Sequence, residues 1–376
     1  MKTTRRSNVI GDFEAQARHQ NRTFAAMTTT RPSLDEMIRP NFKRMQFYKS
    51  ARGEFTGKAD YLLDANENPY NTRHNRYPDP MHMPLRAAIA KSYDIAPDRI
   101  FIGNGSSEAI DLLMRLVCRP GQDRIVQLPP TFGLYQVDAG MNDLEILDIP
   151  LDDDMQPVVS EVLAKAEAGK DRILFLCTPN NPVGNDYKQE YVMELVEKFP
   201  GIVVIDQAYI EFSDVPSYRH LIETHPHVVV METMSKAYGL AGSRVGVAFG
   251  DPELIEWLNN IKPPYNVPSE SAEAALKAIG ERDTRVAEQI AAMRSERDRL
   301  LTAFAKTNYW TRVYPTNSNF ILVSHPDCNA LYTHLCDRGV ILRNQTGKFG
   351  SGHLRISVGK PVENDALLEG LDAFFA

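Results

Sequence analysis

The sequence predicts an α/β fold: a three-layer αβα domain built on a mostly parallel sheet of about seven strands, then a smaller α+β unit at the C-terminus. Three observations predict it. Between residues 99 and 249, short runs of Val, Ile, Leu and Phe alternate with helix-length segments. The runs are apolar throughout rather than at every second residue, as in strands covered on both faces. Past residue 268 the order changes to long helices followed by short strands and further helices.

Taken in order, residues 34–38 read as a short helix closed by Pro40. Residues 60–64 read as a short strand running into the turn-rich loop Ala65-Asn66-Glu67-Asn68-Pro69, and Tyr77-Pro78-Asp79-Pro80 reads as a rigid turn. A helix is expected at 84–93, with Pro84 at its start. The alternation then gives strands at 99–102, 124–128, 144–149, 172–176, 202–205, 228–231 and 245–249. Helices are expected between the first five, at 108–117, 131–139, 158–168 and 189–199. Lys262-Pro263-Pro264-Tyr265-Asn266-Val267-Pro268 breaks the pattern. A helical stretch at 269–306, long enough for two helices, leads to strands near 310–313, 320–323, 340–342 and 354–358, with helices at 329–337 and 363–374.

The chain of 376 residues is 43% hydrophobic and 24% charged, which suits a soluble protein of two domains. A net charge of −7 argues against nucleic acid or an anionic membrane as a partner. No apolar run reaches the roughly 18 residues of a membrane span. Cys118, Cys177, Cys328 and Cys336 lack C-x-x-C spacing and read as buried free thiols of a reducing, cytoplasmic compartment. His220, His225 and His227 lack clear carboxylate or Cys partners, so no metal is expected. Residues 1–31 hold six basic and two acidic residues and no apolar core of a secretory signal; they read as a basic flexible arm that leaves −11 on the remainder.

Every chemically suggestive group lies just past a strand of the first sheet, the edge where open α/β sheets bind ligands. After 228–231 comes Ser235-Lys236 and, eight residues on, Arg244. A Lys there can lose part of its solvent, fall in pKa and attack a carbonyl, and Ser235 with Arg244 can hold an anion. The same residues also read as an ordinary charged turn. Gly103-Asn104-Gly105-Ser106-Ser107-Glu108 permits a tight turn and a helix start facing a phosphate, or plain helix capping. Phe132 reads as a ring-stacking residue or as core, and Asn180-Asn181 as an amide donor or an Asx turn. Asp206, closing an apolar strand, needs a cationic partner: a pyridinium nitrogen or a structural ion pair. One ligand satisfies them all, an aromatic aldehyde bearing a phosphate, a phenolic oxygen and a basic ring nitrogen, namely pyridoxal 5′-phosphate.

With these motifs the chain resembles the fold-type I pyridoxal-phosphate aminotransferases and, more narrowly, the histidinol-phosphate aminotransferases. The resemblance runs from Ile38-Arg39-Pro40-Asn41 nearly to the C-terminus. It rests on Asp64-Ala65-Asn66-Glu67-Asn68-Pro69, Arg76-Tyr77-Pro78-Asp79-Pro80, Gly103-Asn104-Gly105-Ser106, Pro129-Pro130-Thr131, Asn180-Asn181-Pro182, Asp206 with Ala208-Tyr209, Ser235-Lys236-Ala237, Lys262-Pro263-Pro264-Tyr265-Asn266 and His353-Leu354-Arg355-Ile356-Ser357-Val358-Gly359. It implies a division into the arm 1–31, an N-terminal segment 32–83 packing on the small domain and the active site, a cofactor-binding large domain 84–268, and linking helices with a small domain at 269–376.

The resemblance further implies that Lys236 carries the cofactor and then serves as the proton-transfer base. Asp206 would pair with the ring nitrogen, Asn181 and Tyr209 with the phenolic oxygen, and Phe132 with the ring face. Ser106, Ser107, Ser235 and Arg244 would hold the phosphate, with Tyr77 reaching in from the other subunit of a homodimer, and Glu108 would be a further cofactor-binding residue. Arg355 would grip the α-carboxylate and Arg343 the substrate phosphate, under a loop formed by Asn66, Glu67 and Asn68. The implied reaction is transamination between L-histidinol phosphate and 2-oxoglutarate, giving imidazole-acetol phosphate and L-glutamate, in L-histidine biosynthesis. Ser107, Phe132, Val183, Gln207 and Ser243 depart from the usual pattern and bear on substrate identity. An aminotransferase for aromatic or other amino acids, a phosphothreonine-type decarboxylase, or a catalytically inactive pyridoxal-phosphate-binding protein would keep the same cofactor residues.

Overall fold

Strands that are apolar on both faces need cover on both faces, and the fold supplies it. A computed structural model describes residues 31–48, 50, 57, 59–72, 74–350 and 352–376. Its larger sheet holds β1 (Ile100–Asn104), β2 (Arg124–Gln127), β3 (Glu145–Asp148), β4 (Asp171–Cys177), β5 (Ile202–Asp206), β6 (Val228–Thr233) and β7 (Val245–Phe249). Their order is β1-β7-β6-β5-β4-β2-β3. Six strands share one direction, and β7 alone runs against its neighbours β1 and β6.

Side-chain alternation along each strand divides the core. Val203 and Ile205 of β5 join Ile102, Leu174 and Val230 on one face, under Leu85 and Ile89 of helix Met83–Tyr93 and Val192 and Leu195 of helix Gln189–Lys198. Ile202 and Val204 join Phe101, Phe175 and Met231 on the other, under Ile110 and Leu113 of helix Ser106–Val117 and Leu254 and Leu258 of helix Pro252–Ile261. Burying one such side chain contributes roughly 1.5–3 kcal/mol, which favours this two-sided cover.

A second sheet holds β8 (Arg312–Val313), β9 (Phe320–Ser324), β10 (Arg343–Asn344) and β11 (His353–Ser357). It runs β10-β11-β9-β8 with every pair antiparallel. Leu300 and Phe304 of helix Ala287–Ala305, Leu331 and Leu335 of helix Cys328–Asp337, and Leu367 and Leu371 of helix Pro361–Phe375 cover it.

Several expectations change. Residues 60–64 form no strand: no edge among the described residues pairs with them, and Tyr61 and Leu63 are 86% and 92% exposed. The helix expected at 131–139 begins at Leu134, because Pro129 to Gly133 form the loop that leaves β2. The strand expected at 340–342 lies at Arg343–Asn344, where β11 supplies its partner. Helix Pro252–Ile261 was not anticipated, although Asp251 caps it and Pro252 opens it. Cys118, Cys177 and Cys328 are buried free thiols, whereas Cys336 is half-buried. Among the described residues no helix is long and apolar enough to cross a membrane. The basic arm lies outside the described residues except for Arg31.

Candidate active site

The carboxyl ends of β1, β2, β4, β5 and β6 open on one edge of the sheet. So does the start of β7, because that strand is reversed. The loops there, with residues from the second sheet, line a cavity of about 750 Å³. Its walls carry Ser106, Ser107, Phe132, Asn181, Asp206, Tyr209, Ser235, Lys236 and Arg244, together with Arg343 and Arg355.

One end suits an anion. Helix Ser106–Val117 begins at Gly105, whose φ of 75° is open to glycine, and no side chain caps its first turn. Arg244 Nη1 lies 3.5 Å from Ser235 Oγ, and the Gly105 N–H donates to the Arg244 carbonyl at 2.9 Å. A Cβ on Gly105 would overlap the Arg244 guanidinium, and one on Gly246 would overlap the backbone of Gly105 and Ser106. Two glycines therefore keep this cup open, with amides, hydroxyls and a guanidinium at its rim.

The other end suits a cation. Asp206 is fully buried, and burial pushes its carboxyl above the usual range. Tyr135 Oη donates to Asp206 Oδ2 at 2.6 Å, and the Ala208 N–H donates to Oδ1 at 3.1 Å. Both hold the carboxylate form against that burial, as does the charge of Lys236. A protonated ring nitrogen in the cavity would complete the set.

Between the ends stands Lys236, its Nζ 5.7 Å from the centre of the Tyr209 ring. Loss of solvent first, then the charges of Arg355 and Arg244, hold its amine below the ordinary lysine range, opposed by Asp206. Asn181 Nδ2 donates to Tyr209 Oη at 3.3 Å, and Arg355 Nη1 donates to Asn181 Oδ1 at 2.6 Å. Burial pushes the Tyr209 phenol well up, so it stays a neutral hydroxyl. Arg343 and Arg355 are register partners on β10 and β11, which places two guanidinium groups on the same side of the cavity.

Five expected residues stand elsewhere. Glu108 accepts from the Asn104 N–H and from Asn266 Nδ2, both at 2.6 Å, and does not line the cavity. Asn66, Glu67, Asn68 and Tyr77 line a separate recess, in which Glu67 pairs with Arg76 at 2.7 Å and accepts from the Tyr77 N–H. Of the departures from the usual pattern, only Ser107 and Phe132 line the cavity. Val183 packs on Tyr314 and Leu322, and Gln207 accepts from Ser217 Oγ and the Tyr218 N–H. Sequence reasoning missed Cys177, Thr233 and Gln345 in the walls and Tyr135 behind them. Tyr135 carried a weak signal, an aromatic three residues after Phe132; Gln345 carried none.

The residues present fit pyridoxal 5′-phosphate: a buried carboxylate for the ring nitrogen, an amide and a phenol for the ring oxygen, an amine for the aldehyde, and a glycine-lined cup for the phosphate. Residues 16–371 match the sequence profile described as Aminotransferase class I and II. The chain is 40% identical over 344 residues to the histidinol-phosphate aminotransferase of Bacteroides fragilis, covering 91% of this chain and 99% of the relative. It is 40% identical over 342 residues to that of Flavobacterium johnsoniae, covering 90% and 97%. The fold is similar, with a TM-score of 0.73 at 23% identity, to a crystal structure of histidinol-phosphate aminotransferase from Sinorhizobium meliloti in complex with pyridoxal-5′-phosphate, covering 80% of this chain and 84% of that one.

Proposed function

Because the chain belongs to the aminotransferase class I and II family, we propose that it transfers an amino group between L-histidinol phosphate and 2-oxoglutarate in L-histidine biosynthesis. The enzyme is an aminotransferase and its cofactor is pyridoxal 5′-phosphate. The observation that carries the substrate assignment is the pair Arg343 and Arg355, side by side in the cavity that holds Lys236 and Asp206. Two guanidinium groups suit substrates with an anionic tail: Arg355 receives the carboxylate of glutamate, and Arg343 receives the phosphate of histidinol phosphate.

Bound pyridoxal 5′-phosphate supplies an electron sink that carries the amino group and stabilises charge at the substrate Cα. Lys236 anchors the cofactor, then takes the proton from Cα and returns it on the other side of the transfer. Asp206 keeps a proton on the ring nitrogen, with Tyr135 and Ala208 holding its carboxylate in place. Tyr209 and Asn181 donate to the phenolic oxygen, and Phe132 covers the ring. Ser106, Ser107, Ser235 and Arg244 hold the phosphate. Tyr77 and the loop of Asn66, Glu67 and Asn68 line a recess outside this cavity, which supports their acting on the cavity of a second copy in a homodimer. The free buried thiols support a cytoplasmic setting.

A panel of single-turnover reactions, read by the visible absorbance of the bound cofactor, tests the assignment. Glutamate and L-histidinol phosphate should convert it, the latter on the order of a hundredfold faster than L-histidinol, which lacks the phosphate. Preference for an aromatic amino acid, or carbon dioxide release from phosphothreonine, would replace the substrate assignment and leave the cofactor reading intact.

A further inference from the structure

Asn266 closes the Lys262-Pro263-Pro264-Tyr265-Asn266 segment, which the chemistry above does not use. Its side chain joins three parts of the molecule. Nδ2 donates to the Ile102 carbonyl at 3.1 Å and to Glu108 Oε2 at 2.6 Å. Oδ1 accepts from Lys262 Nζ at 2.7 Å and meets His82 Nε2 at 3.0 Å. The Asn266 carbonyl accepts from Asn104 Nδ2 at 3.0 Å. Lys262 and His82 are buried, and Lys262 Nζ also donates to the Pro80 carbonyl at 2.7 Å.

These bonds converge on the loop that forms the anion cup. Asn104 precedes Gly105, and both its backbone N–H and its side-chain amide are engaged, the first by Glu108 and the second by Asn266. The cup works only if the first-turn amides and Arg244 point at the same place, and a backbone displaced by a fraction of an ångström loses that convergence. The next residue back, Tyr265, stacks on Tyr77 with ring centres 4.5 Å apart. The Asn266 side chain thus ties the cup, through Glu108 and the Ile102 carbonyl, to His82 and Lys262, and Lys262 holds the Pro80 carbonyl of the turn that carries Tyr77.

We propose that Asn266, with Glu108 and Lys262, is the positioning residue of the phosphate cup, setting the Gly103–Ser107 loop from behind without touching the ligand. The proposal rests on reading that cup as the phosphate site of pyridoxal 5′-phosphate.

The test compares the apoenzyme's affinities for pyridoxal 5′-phosphate and for pyridoxal, which keeps the ring and aldehyde but lacks the phosphate. Both are measured by fluorescence titration of wild type and of Asn266→Ala. The wild type should prefer the phosphorylated form strongly. Asn266→Ala should bind pyridoxal 5′-phosphate about tenfold more weakly, the loss expected from hydrogen bonds to charged partners, with pyridoxal unchanged. Glu108→Ala carries the same expectation and stands in if Asn266→Ala does not fold. A wild type without the preference would remove the cup reading itself. A variant that keeps the full preference, or that weakens both ligands equally, would overturn the positioning role.

Discussion

Tyr135 reaches through the core to Asp206: its hydroxyl donates to Oδ2 at 2.6 Å, while its ring stacks on Phe175 at 4.3 Å and stands edge-on to Phe132 at 5.6 Å. A neutral donor satisfies one carboxylate oxygen without cancelling its charge. The carboxylate therefore remains available to a cation in the cavity. Tyr135→Phe should keep the packing and cost about 1.5–3 kcal/mol of cofactor-linked stability, the range for a hydrogen bond to a charged group. Urea unfolding of the wild type and variant, with and without pyridoxal 5′-phosphate, measures it. An unchanged holoenzyme would show that this bond does not support the carboxylate.

Lys236→Ala should abolish the visible absorbance that the wild type develops with pyridoxal 5′-phosphate. An intact band would assign the cofactor to another lysine. The depressed pKa of Lys236 also has a sign. Reductive trapping of pyridoxal on the apoenzyme should rise with pH, because the neutral amine is the nucleophile. Its midpoint should lie below the roughly 10.4 of a free lysine, as mass spectrometry of the labelled peptide would report.

Arg343→Ala should slow L-histidinol phosphate by about a hundredfold and leave the glutamate half-reaction within about threefold. Arg355→Ala should damage both, glutamate through its lost carboxylate partner and L-histidinol phosphate through the lost bond to Asn181. If the first variant turned over L-histidinol phosphate normally, phosphate recognition would lie elsewhere in the cavity.

Gly246→Ala places a methyl against the backbone of Gly105 and Ser106, inside a sheet that cannot move aside. It should lower stability by about 1–3 kcal/mol, as overpacking does, and weaken retention of pyridoxal 5′-phosphate. Calorimetry with dialysis against cofactor-free buffer would read both. Full retention would mean that the cup tolerates displacement.

Glu211 is half-buried, and its enclosed Oε2 has no hydrogen-bond partner among the described residues. Burial and then the charge of Glu232 push its carboxyl up to about 8, while Arg219 and Arg282 oppose. Tyr93 and Tyr238 complete the surroundings. The folded state thus holds this proton more tightly than the unfolded chain. The resulting stability is present below the unfolded pKa of about 4.3 and is lost as pH rises through about 8. Glu211→Gln should flatten the decline across that interval. Chemical denaturation from pH 5 to 9 would show the two curves converging at low pH, and parallel curves would sink the assignment.

The sequence made the cavity legible wherever chemistry sits at the end of an apolar run. Asp206, Lys236, Asn181 and Arg244 flank strands whose spacing is unmistakable, so their meeting at one edge follows from the topology. Glu108 is expected among the cofactor-binding residues by resemblance alone. At the third helical position, however, a Glu bends back to the amide preceding the cap, here that of Asn104. Tyr135 reads locally as a core aromatic, since its value depends on a strand more than sixty residues away. Residues 60–64 have strand-like composition but no neighbour among the described residues to pair with, and pairing is decided by tertiary context.

The reversal of β7 has a mechanical outcome. Met234 donates to the Val245 carbonyl, and Thr233 is paired with Gly246, so the link carrying Lys236 and Arg244 is pinned at both feet. Amine and guanidinium are thereby held like two prongs of a single fork. Arg343 and Arg355 belong to the other sheet, so the two substrate-facing guanidinium groups are carried on a separate frame. Retooling the enzyme for a new substrate should therefore begin with β10, because Arg355 of β11 also donates to Asn181 and bears on the cofactor.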